Sequence, residues 1–269
     1  MPFSTLPLND GTKVPQLAVG TGTALFRRDA EEAVLLALNN GIYHIDAAQV
    51  YGNEESVGRA LAKAKIPREK LYITTKVETG PPLDGLKESL RKLRLNYVDL
   101  YLIHHPSNIP DVVGAWKELE EAKRLGLTKS IGVSNATVSH LQVIAASSTT
   151  VPAVNQIEFH PYNLAYEAPV VAYAATHNIV IEAYCSLYPI TRRPNGPVTK
   201  ALEGPSERLK ATPTQVLFQW VKAKDAVIVT TTSKQERIEE YLAAGDLPAL
   251  TQEEIEVIDN AGLSDPSRR

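Results

Sequence analysis

Short apolar runs alternate with longer segments in which apolar residues recur every three or four positions. The first pattern predicts buried strands, and the second predicts amphipathic helices. The predicted strands cover residues 16–20, 42–46, 71–76, 98–104, 129–134, 153–157, 179–184 and 226–230. A helical pattern follows each of them, for example the stripe formed by Leu86, Leu90 and Leu93.

The sequence thus contains eight strand–helix units with no linker between them. Alternating strands and helices predict a parallel sheet, and eight units are the number that closes a (β/α)8 TIM barrel. The alternative, an open doubly wound sheet, normally carries a G-x-G-x-x-G turn after its first strand. Here that turn reads GTGTAL from Gly20 to Leu25 and lacks the third glycine. We therefore expect a single α/β barrel domain over residues 1–269.

Additional elements are predicted at both ends of the chain. The turn residues Asn9-Asp10-Gly11 predict an N-terminal β-hairpin within residues 2–15, placed across the barrel floor. An extra C-terminal helix is expected over residues 251–261, beyond the barrel. Thr251 and Glu254 open it with a capping-box pattern. Similar patterns predict helix caps at Asp29, Asn53 and Ser233.

Composition changes this picture little. The chain is 43% hydrophobic and 22% charged, with a net charge of −3 and no long basic run, so we expect no nucleic-acid partner. No apolar stretch is long enough to span a membrane, and the N-terminus has no signal-peptide pattern. The single cysteine, Cys185, excludes an internal disulfide and favours a cytoplasmic protein. We expect a monomer or a weak dimer.

Polar residues end most of the predicted strands. The chemistry of such barrels lies at the carboxyl ends of the strands, so these side chains are expected at one rim. They include Asp46 with Tyr51 in the following loop, Lys76, His104, Ser134-Asn135, Asn155-Gln156, Tyr184, and the segment 230–234. Taken singly, each has an ordinary explanation, such as a turn cap or a solvated strand end. So many at one rim are difficult to explain as packing.

Four of these residues form a coherent chemical group. A lysine ammonium at Lys76 would lower the pKa of the Tyr51 phenol, and Asp46 would keep that lysine charged and oriented. His104 could orient and donate to a carbonyl. The chain has no credible nucleophile, because Cys185 lacks an evident activating base. Hydride from a bound cofactor therefore fits better than covalent catalysis.

The adjacent pair His104-His105 raises the alternative of a metal site. Successive strand residues point to opposite faces, so the two rings are not expected to share one ion. No further cluster with ligand spacing accompanies them, and we predict no metal.

The sequence resembles the aldo-keto reductase superfamily along nearly its whole length. The motifs that carry the resemblance are HIDAAQVYGNE, ITTK, YVDLYLIHHP, SIGVSN and VNQIEFHPY. The nearest similarity is to the fungal-type ketoreductases of the superfamily. This resemblance implies a (β/α)8 barrel that binds NADPH without a Rossmann fold, with Asp46, Tyr51, Lys76 and His104 as the catalytic tetrad.

The resemblance also implies the remaining site residues. Substrate-pocket positions are Gly22 and His105, where many relatives have tryptophan, so the pocket is expected to be open and polar. We expect it to suit α-dicarbonyl, keto-ester or keto-lactone substrates. The positions implied to contact the cofactor are Thr21, Ser134, Asn135, Gln156, Tyr184, Ser186, Leu187, Thr231, Thr232, Ser233, Lys234 and Arg237.

Two segments carry further predictions. The loop 186–198 is expected to close over the cofactor pyrophosphate, with Arg192 or Arg193 adding positive charge. Lys234 and Arg237 fall in the first turn of the predicted helix after the last strand, where two cations are unfavourable unless an anion is bound. Arg237, assisted by Lys234 and by Thr232 or Ser233, is therefore expected to bind the 2′-phosphate of NADPH and to offset the lysine that many relatives have where this chain has Thr231.

Two other functions remain open. The barrel could be an NADPH-binding, redox-sensing module with little turnover. It could also be an isomerase or aldolase in which Lys76 forms a Schiff base.

Overall fold

The computed structural model describes residues 3–265. Two short antiparallel strands, β1 (Thr5–Pro7) and β2 (Lys13–Pro15), form the predicted N-terminal hairpin. Gly11 in its turn has φ +85°, a conformation that glycine adopts without strain. The hairpin is tied to the barrel floor, since the hydroxyls of Thr12 and Ser130 lie 2.9 Å apart.

Eight further strands, all parallel, form a closed barrel in which each strand pairs with the next along the chain and the last pairs with the first. This confirms the predicted (β/α)8 barrel and excludes the open sheet. The strands are β3 (Leu17–Gly20), β4 (His44–Asp46), β5 (Tyr72–Val77), β6 (Val98–Ile103), β7 (Thr128–Ser134), β8 (Val154–Glu158), β9 (Val180–Tyr184) and β10 (Val227–Thr230).

Helices surround the barrel and complete the strand–helix units. They are α1 (Glu31–Asn39), α2 (Glu54–Ala64), α3 (Pro82–Leu93), α4 (Val112–Arg124), α5 (Val138–Ser147), α6 (Leu164–Thr176), α7 (Tyr188–Thr191), α8 (Pro197–Ala201), α9 (Glu203–Leu209), α10 (Pro213–Ala223), α11 (Gln235–Ala244) and α12 (Gln252–Ser264). The sequence pattern did not predict α7, α8 and α9. Among residues 3–265, no helix has both the length and the apolar character that a membrane span requires.

The period-two alternation of the strands divides the core into two layers. Side chains such as Ile73, Ile103 and Val133 point outward and form the large core between strands and helices. The alternate positions, such as Tyr72 and Leu102, point inward and fill the lower barrel together with Leu8, Val14 and neighbouring strand residues. The hairpin therefore closes the floor with apolar side chains, and the carboxyl rim remains available for polar ones.

The predicted helix caps have different outcomes. Thr251 caps α12 in a capping box with Glu254, as predicted. Asn53 is the residue before α2, as predicted, but its side chain forms no capping hydrogen bond. The N-cap of α1 is Ala30 rather than Asp29, although the Asp29 carboxylate accepts from the Glu31 N–H at 2.9 Å. The prediction for Ser233 is wrong, because Lys234 precedes α11.

The Asn53 amide is used elsewhere, since its Nδ2 donates to the carbonyls of Thr21 and Leu25 at 2.8 and 2.9 Å. It thereby holds the loop after β3 against the loop after β4. In front of α11, the hydroxyl of Thr232 accepts from the Lys234 N–H, and the helix begins at Gln235.

Candidate active site

Four side chains from neighbouring strands meet at the carboxyl end of the barrel. The Lys76 ammonium donates to Asp46 Oδ1 at 2.6 Å and to the Ala47 carbonyl at 3.0 Å. Its nitrogen lies 5.2 Å from the centre of the Tyr51 ring. The ring centres of Tyr51 and His104 are 5.6 Å apart in an edge-to-face arrangement. The four residues predicted as a tetrad thus lie together.

The environment of Tyr51 changes its acidity in the direction opposite to the prediction. Enclosure by protein raises the pKa of the phenol above 10.0, and the charge of Lys76 only partly opposes this. Burial also acts to lower the pKa of Lys76, but Asp46 and Tyr51 prevail and the pKa is raised. The side chains of the protein alone therefore do not lower the Tyr51 pKa, and that prediction is wrong. What they supply is a protonated phenol beside a permanent cation.

His104 is a neutral imidazole in this site. Burial, followed by the charges of Lys76 and His105, lowers its pKa to about 2. Its Nδ1 lies 2.7 Å from Glu78 Oε2. The angle is unsuitable for a hydrogen bond, and within residues 3–265 this buried nitrogen has no hydrogen-bond partner. A neutral imidazole keeps one N–H with which to donate to a substrate oxygen.

The two adjacent histidines do not point to opposite faces, contrary to the prediction. Strand β6 ends at Ile103, so the alternation of the pleat no longer separates the rings that follow. The ring centres of His104 and His105 are 4.5 Å apart. His105 Nδ1 lies 3.3 Å from Oε1 of Glu78, the same carboxylate that faces His104. Sequence reasoning missed Glu78, although it lies only two residues beyond Lys76.

A second buried carboxylate, Glu182, was also missed. Gln156 Nε2 donates to both Glu182 Oε2 and Asp46 Oδ2, at 2.7 and 2.8 Å. Burial and the charge of Asp46 raise the pKa of Glu182 to about 7. An acid two residues before Tyr184 in an otherwise apolar strand was the available signal, because both positions face the barrel interior.

A cavity of about 530 Å³ opens above these residues at the barrel rim. Asp46, Tyr51 and His104 line it. The predicted substrate and cofactor positions that also line it are Gly22, His105, Asn135, Gln156, Tyr184, Ser186, Leu187, Thr231 and Arg237. Tyr184 is fixed by its hydroxyl, which donates to Asn135 Oδ1 at 2.7 Å.

Two of the predicted cofactor positions lie behind the cavity wall. Thr21 is buried, and its hydroxyl donates to the Asp46 carbonyl at 3.2 Å. Ser134 is also buried, and its hydroxyl donates to the Gln156 carbonyl at 2.8 Å. Neither lines the cavity. In this structure both residues bind the backbone of other site residues.

Gly22 packs directly against the Tyr51 ring. A Cβ atom placed there would lie 2.8 Å from the ring carbon that carries the hydroxyl. Any larger residue at position 22 therefore requires Tyr51 to move. The glycine both opens the pocket and permits the observed position of the phenol.

A second cavity of about 350 Å³ shares Thr231 and Arg237 with the first. The predicted residues Thr232, Ser233 and Lys234 line it, together with Arg28. Within the described part of the chain, the side chains of Arg28, Lys234 and Arg237 form no ion pair. Asp29 also lines this depression but is paired with Arg59. Three exposed cations that form no ion pair among the described residues favour an anionic ligand.

The loop prediction is only partly consistent with the structure. Ser186 and Leu187 line the main cavity, and the next residues form the short helix α7 instead of an irregular loop. Arg193 does not face a cofactor site. It forms an ion pair with Asp265 after α12, donates to the Asp265 carbonyl at 2.9 Å and lies over the Tyr162 ring.

A sequence model of the aldo/keto reductase family matches residues 16–262. The chain belongs to the aldo/keto reductase family. Membership makes it an NAD(P)-dependent oxidoreductase, as the motifs indicated.

The relatives of this aldo/keto reductase include fungal enzymes. It is 42% identical over 246 residues to the NAD/NADP-dependent indole-3-acetaldehyde reductase of Schizosaccharomyces pombe, which covers 86% of each chain. It is 35% identical to the NADPH-dependent alpha-keto amide reductase of Saccharomyces cerevisiae, covering 95% of this chain and 90% of that one.

Solved structures confirm the fold. The aldo-keto reductase of Bombyx mori in complex with NADP is 31% identical, with a TM-score of 0.87 over 96% of this chain and 92% of that chain. An aldo/keto reductase from Brucella melitensis is 30% identical, with a TM-score of 0.86 over 96% of this chain and 99% of the other.

Proposed function

We propose that the protein reduces small carbonyl compounds to alcohols with NADPH, and that Tyr51 is the general acid. The observation that carries the proposal is the Asp46–Lys76 pair buried directly beneath the Tyr51 phenol. The names of the relatives in Schizosaccharomyces and Saccharomyces, an aldehyde reductase and a keto amide reductase, support carbonyl reduction.

The proposed role of Lys76 follows from its geometry. When Tyr51 gives its proton to the substrate oxygen, a phenolate forms in a site with little water, which would be costly without a nearby cation. Lys76 supplies that charge, and Asp46 prevents it from losing its own proton. Lys76 therefore stabilises the phenolate that forms after Tyr51 has given up its proton. A lowered Tyr51 pKa before the reaction is not required.

The same contacts argue against a Schiff-base lysine. An amine must be neutral to attack a carbonyl, whereas the pKa of Lys76 is raised. Its nitrogen already donates to Asp46 and Ala47. Lys76 is consequently a poor nucleophile.

The cavities fit a dinucleotide that carries an extra phosphate. Bound NADPH supplies the hydride for the reaction. Asn135, Gln156 and Tyr184 lie beside the tetrad and are proposed to hold the nicotinamide end. Arg237 and Lys234, in the second cavity, are proposed to bind the 2′-phosphate, assisted by Thr232 or Ser233.

We infer a polar substrate with a second oxygen near the reacting carbonyl, such as an α-dicarbonyl or keto ester. The pocket wall beside His104 includes the polar side chains of His105 and Glu78, and the Asn108 amide donates to Glu78 at 2.9 Å. Phe26 and Val50 add apolar surface to the same cavity. Gly22 adds no side chain on the opposite side. Apolar substrates of steroid size would leave these polar groups unpaired, at a cost in affinity.

The test is the variant Tyr51→Phe, assayed by NADPH absorbance with a panel of α-dicarbonyls and keto esters. Removing only the proton donor should lower kcat by roughly 10²–10⁴ and leave NADPH binding intact. Tyr166→Phe, on the exposed face of α6, is the matched control and should behave as wild type. A kcat near the wild-type value in Tyr51→Phe, with chemistry rate-limiting, would exclude Tyr51 as the acid. Normal NADPH binding without turnover in the wild type would instead favour the redox-sensing module.

A further inference from the structure

Three side chains at the substrate end of the main cavity bring metal-ligating atoms to one point. Glu78 Oε2 lies 2.7 Å from His104 Nδ1, and Glu78 Oε1 lies 3.3 Å from His105 Nδ1. One ligand atom from each residue falls within 4.8 Å of the other two. All three residues line the cavity, so an ion could enter without unfolding any element.

The spacing and chemistry match those of a transition-metal site. Zinc binds imidazole nitrogen and carboxylate oxygen at about 2.0–2.2 Å, so neighbouring ligand atoms in a tetrahedral site lie roughly 3.3 Å apart. From the single oxygen Glu78 Oε2, His104 Nδ1 lies at 2.7 Å and His105 Nδ1 at 3.4 Å, so small side-chain adjustments would meet this value. Two histidines and one carboxylate, with a fourth position left open, are a donor set that zinc uses in proteins.

The state of His104 provides an independent observation. Its Nδ1 is buried and makes no hydrogen bond within residues 3–265, although buried polar atoms are nearly always paired. In the tautomer that carries its proton on Nε2, this nitrogen presents a lone pair to an ion. Asn108 donates to Glu78 Oε1 at 2.9 Å and orients the carboxylate from behind. Hydrogen bonds of this kind, from residues that do not bind the ion themselves, commonly orient metal ligands.

We propose that Glu78, His104 and His105 form a binding site for a divalent metal ion of the zinc class, with its fourth coordination position open to the cavity. The site does not depend on the proposed reductase activity, because binding can be measured directly. Because His104 belongs to the proposed tetrad, an ion held there would lie where the proposed substrate carbonyl must approach.

The experiment is a titration of the metal-free full-length chain with Co²⁺, followed by visible absorption, and with Zn²⁺, followed by calorimetry. One ion per chain should bind, with the absorption of a cobalt site that has nitrogen and oxygen ligands. Glu78→Gln and His105→Phe should each weaken binding by at least about tenfold, since even supporting contacts of metal ligands have effects of that size. His105 is half exposed, so its variant keeps the test valid if Glu78→Gln fails to fold.

Two control variants separate this site from its neighbours. Glu158→Gln alters a Glu–His pair outside this cluster, in which Glu158 lies 3.0 Å from His160, and should not change the affinity. Cys185→Ser removes the exposed thiol that lines the same cavity and should also have no effect. The proposal is overturned if the wild type binds neither ion at micromolar concentrations. It is equally overturned if both cluster variants keep wild-type affinity, or if Cys185→Ser is the variant that abolishes binding.

Discussion

The chemistry of single residues in this barrel is set mainly by how completely water is excluded from them. Tyr51 and Glu182 both have raised pKa values because burial disfavours their charged forms. Lys76 keeps its charge in the same region only because Asp46 and Tyr51 offset the burial. One charged pair is therefore maintained at the barrel centre, and the groups around it are held neutral or close to neutrality.

The first prediction concerns the buried carboxylate of Glu182. Its pKa is about 7 in the folded chain and near 4.5 when unfolded, so between these values the folded state binds more protons. The contribution of Glu182 to the free energy of unfolding must then decrease as pH rises from about 4.5 through 7, by at most roughly 3 kcal/mol. Glu182→Gln replaces the protonated acid with a neutral amide and should remove this decrease.

Urea unfolding at pH 5, 6, 7 and 8 measures how the free energy of unfolding depends on pH in the wild type and in Glu182→Gln. The exposed variant Glu256→Gln is the control and should follow the wild-type curve. Parallel curves for wild type and Glu182→Gln would show that Glu182 does not titrate in this range.

At the scale of elements, the short segments after strands determine which side chains reach the site. The Asn53 amide ties the loop after β4 to the loop after β3, which brings Tyr51 against Gly22. Likewise, the turn between β10 and α11 places Lys234 and Arg237 around one depression. The strands fix where the tetrad side chains point, whereas these turns position the residues proposed to select the substrate and the cofactor.

The second prediction concerns the junction of β10 and α11. If Arg237 binds the 2′-phosphate, Arg237→Ala should raise the KM for NADPH by roughly 10- to 100-fold, the size expected for charge-assisted hydrogen bonds. The KM for NADH, which lacks this phosphate, should change far less. Initial-rate kinetics with both cofactors measure the effect, and Arg124→Ala, on the exposed face of α4, is the control. Equal changes for both cofactors would contradict the assignment.

The third prediction concerns the segment from Ser186 to Val198. Ser186, Leu187 and Thr191 line the main cavity, so a dinucleotide there should hold α7 in place. Trypsin cleavage after Arg192 should therefore slow markedly when NADPH is added. Mass spectrometry of timed digests measures this, with cleavage after the exposed Lys210 as the internal reference. Unchanged cleavage after Arg192 at saturating NADPH would argue against closure over the cofactor.

At the scale of the whole molecule, stability and chemistry lie at opposite ends of the barrel. The inward-facing residues of the lower barrel are mainly apolar, with His44 and Ser130 as buried polar exceptions, and the hairpin covers them through Leu8 and Val14. The inward-facing residues of the upper barrel carry the charges. This separation allows polar residues to be buried at the rim while the floor contributes to the stability of the fold.

The fourth prediction tests this separation with Leu8→Ala. The side chain is buried in the lower core, so its truncation should lower the free energy of unfolding by roughly 2–5 kcal/mol. The NADPH-dependent rate should remain near wild type at temperatures where the variant is folded, because the rim is untouched. Urea unfolding and steady-state kinetics measure the two effects, with the exposed Val143→Ala as control. A large loss of activity in folded Leu8→Ala would show that the two ends are coupled.

The sequence by itself indicated the closed barrel, because eight strand–helix units are the number that closes one and the turn after the first strand lacks the third glycine of the open alternative. It also determined that Asp46, Tyr51, Lys76 and His104 lie together, since strand ends of a barrel meet at one rim. Only the tertiary structure decided which partners those residues have. Glu182, which is joined to Asp46 through Gln156, and Glu78, which faces both histidines, come from other strands, and the raised Tyr51 pKa arises from enclosure by the surrounding protein. Local patterns could place these carboxylates at the rim, but they carry no information on which side chains they contact or on how completely water is excluded.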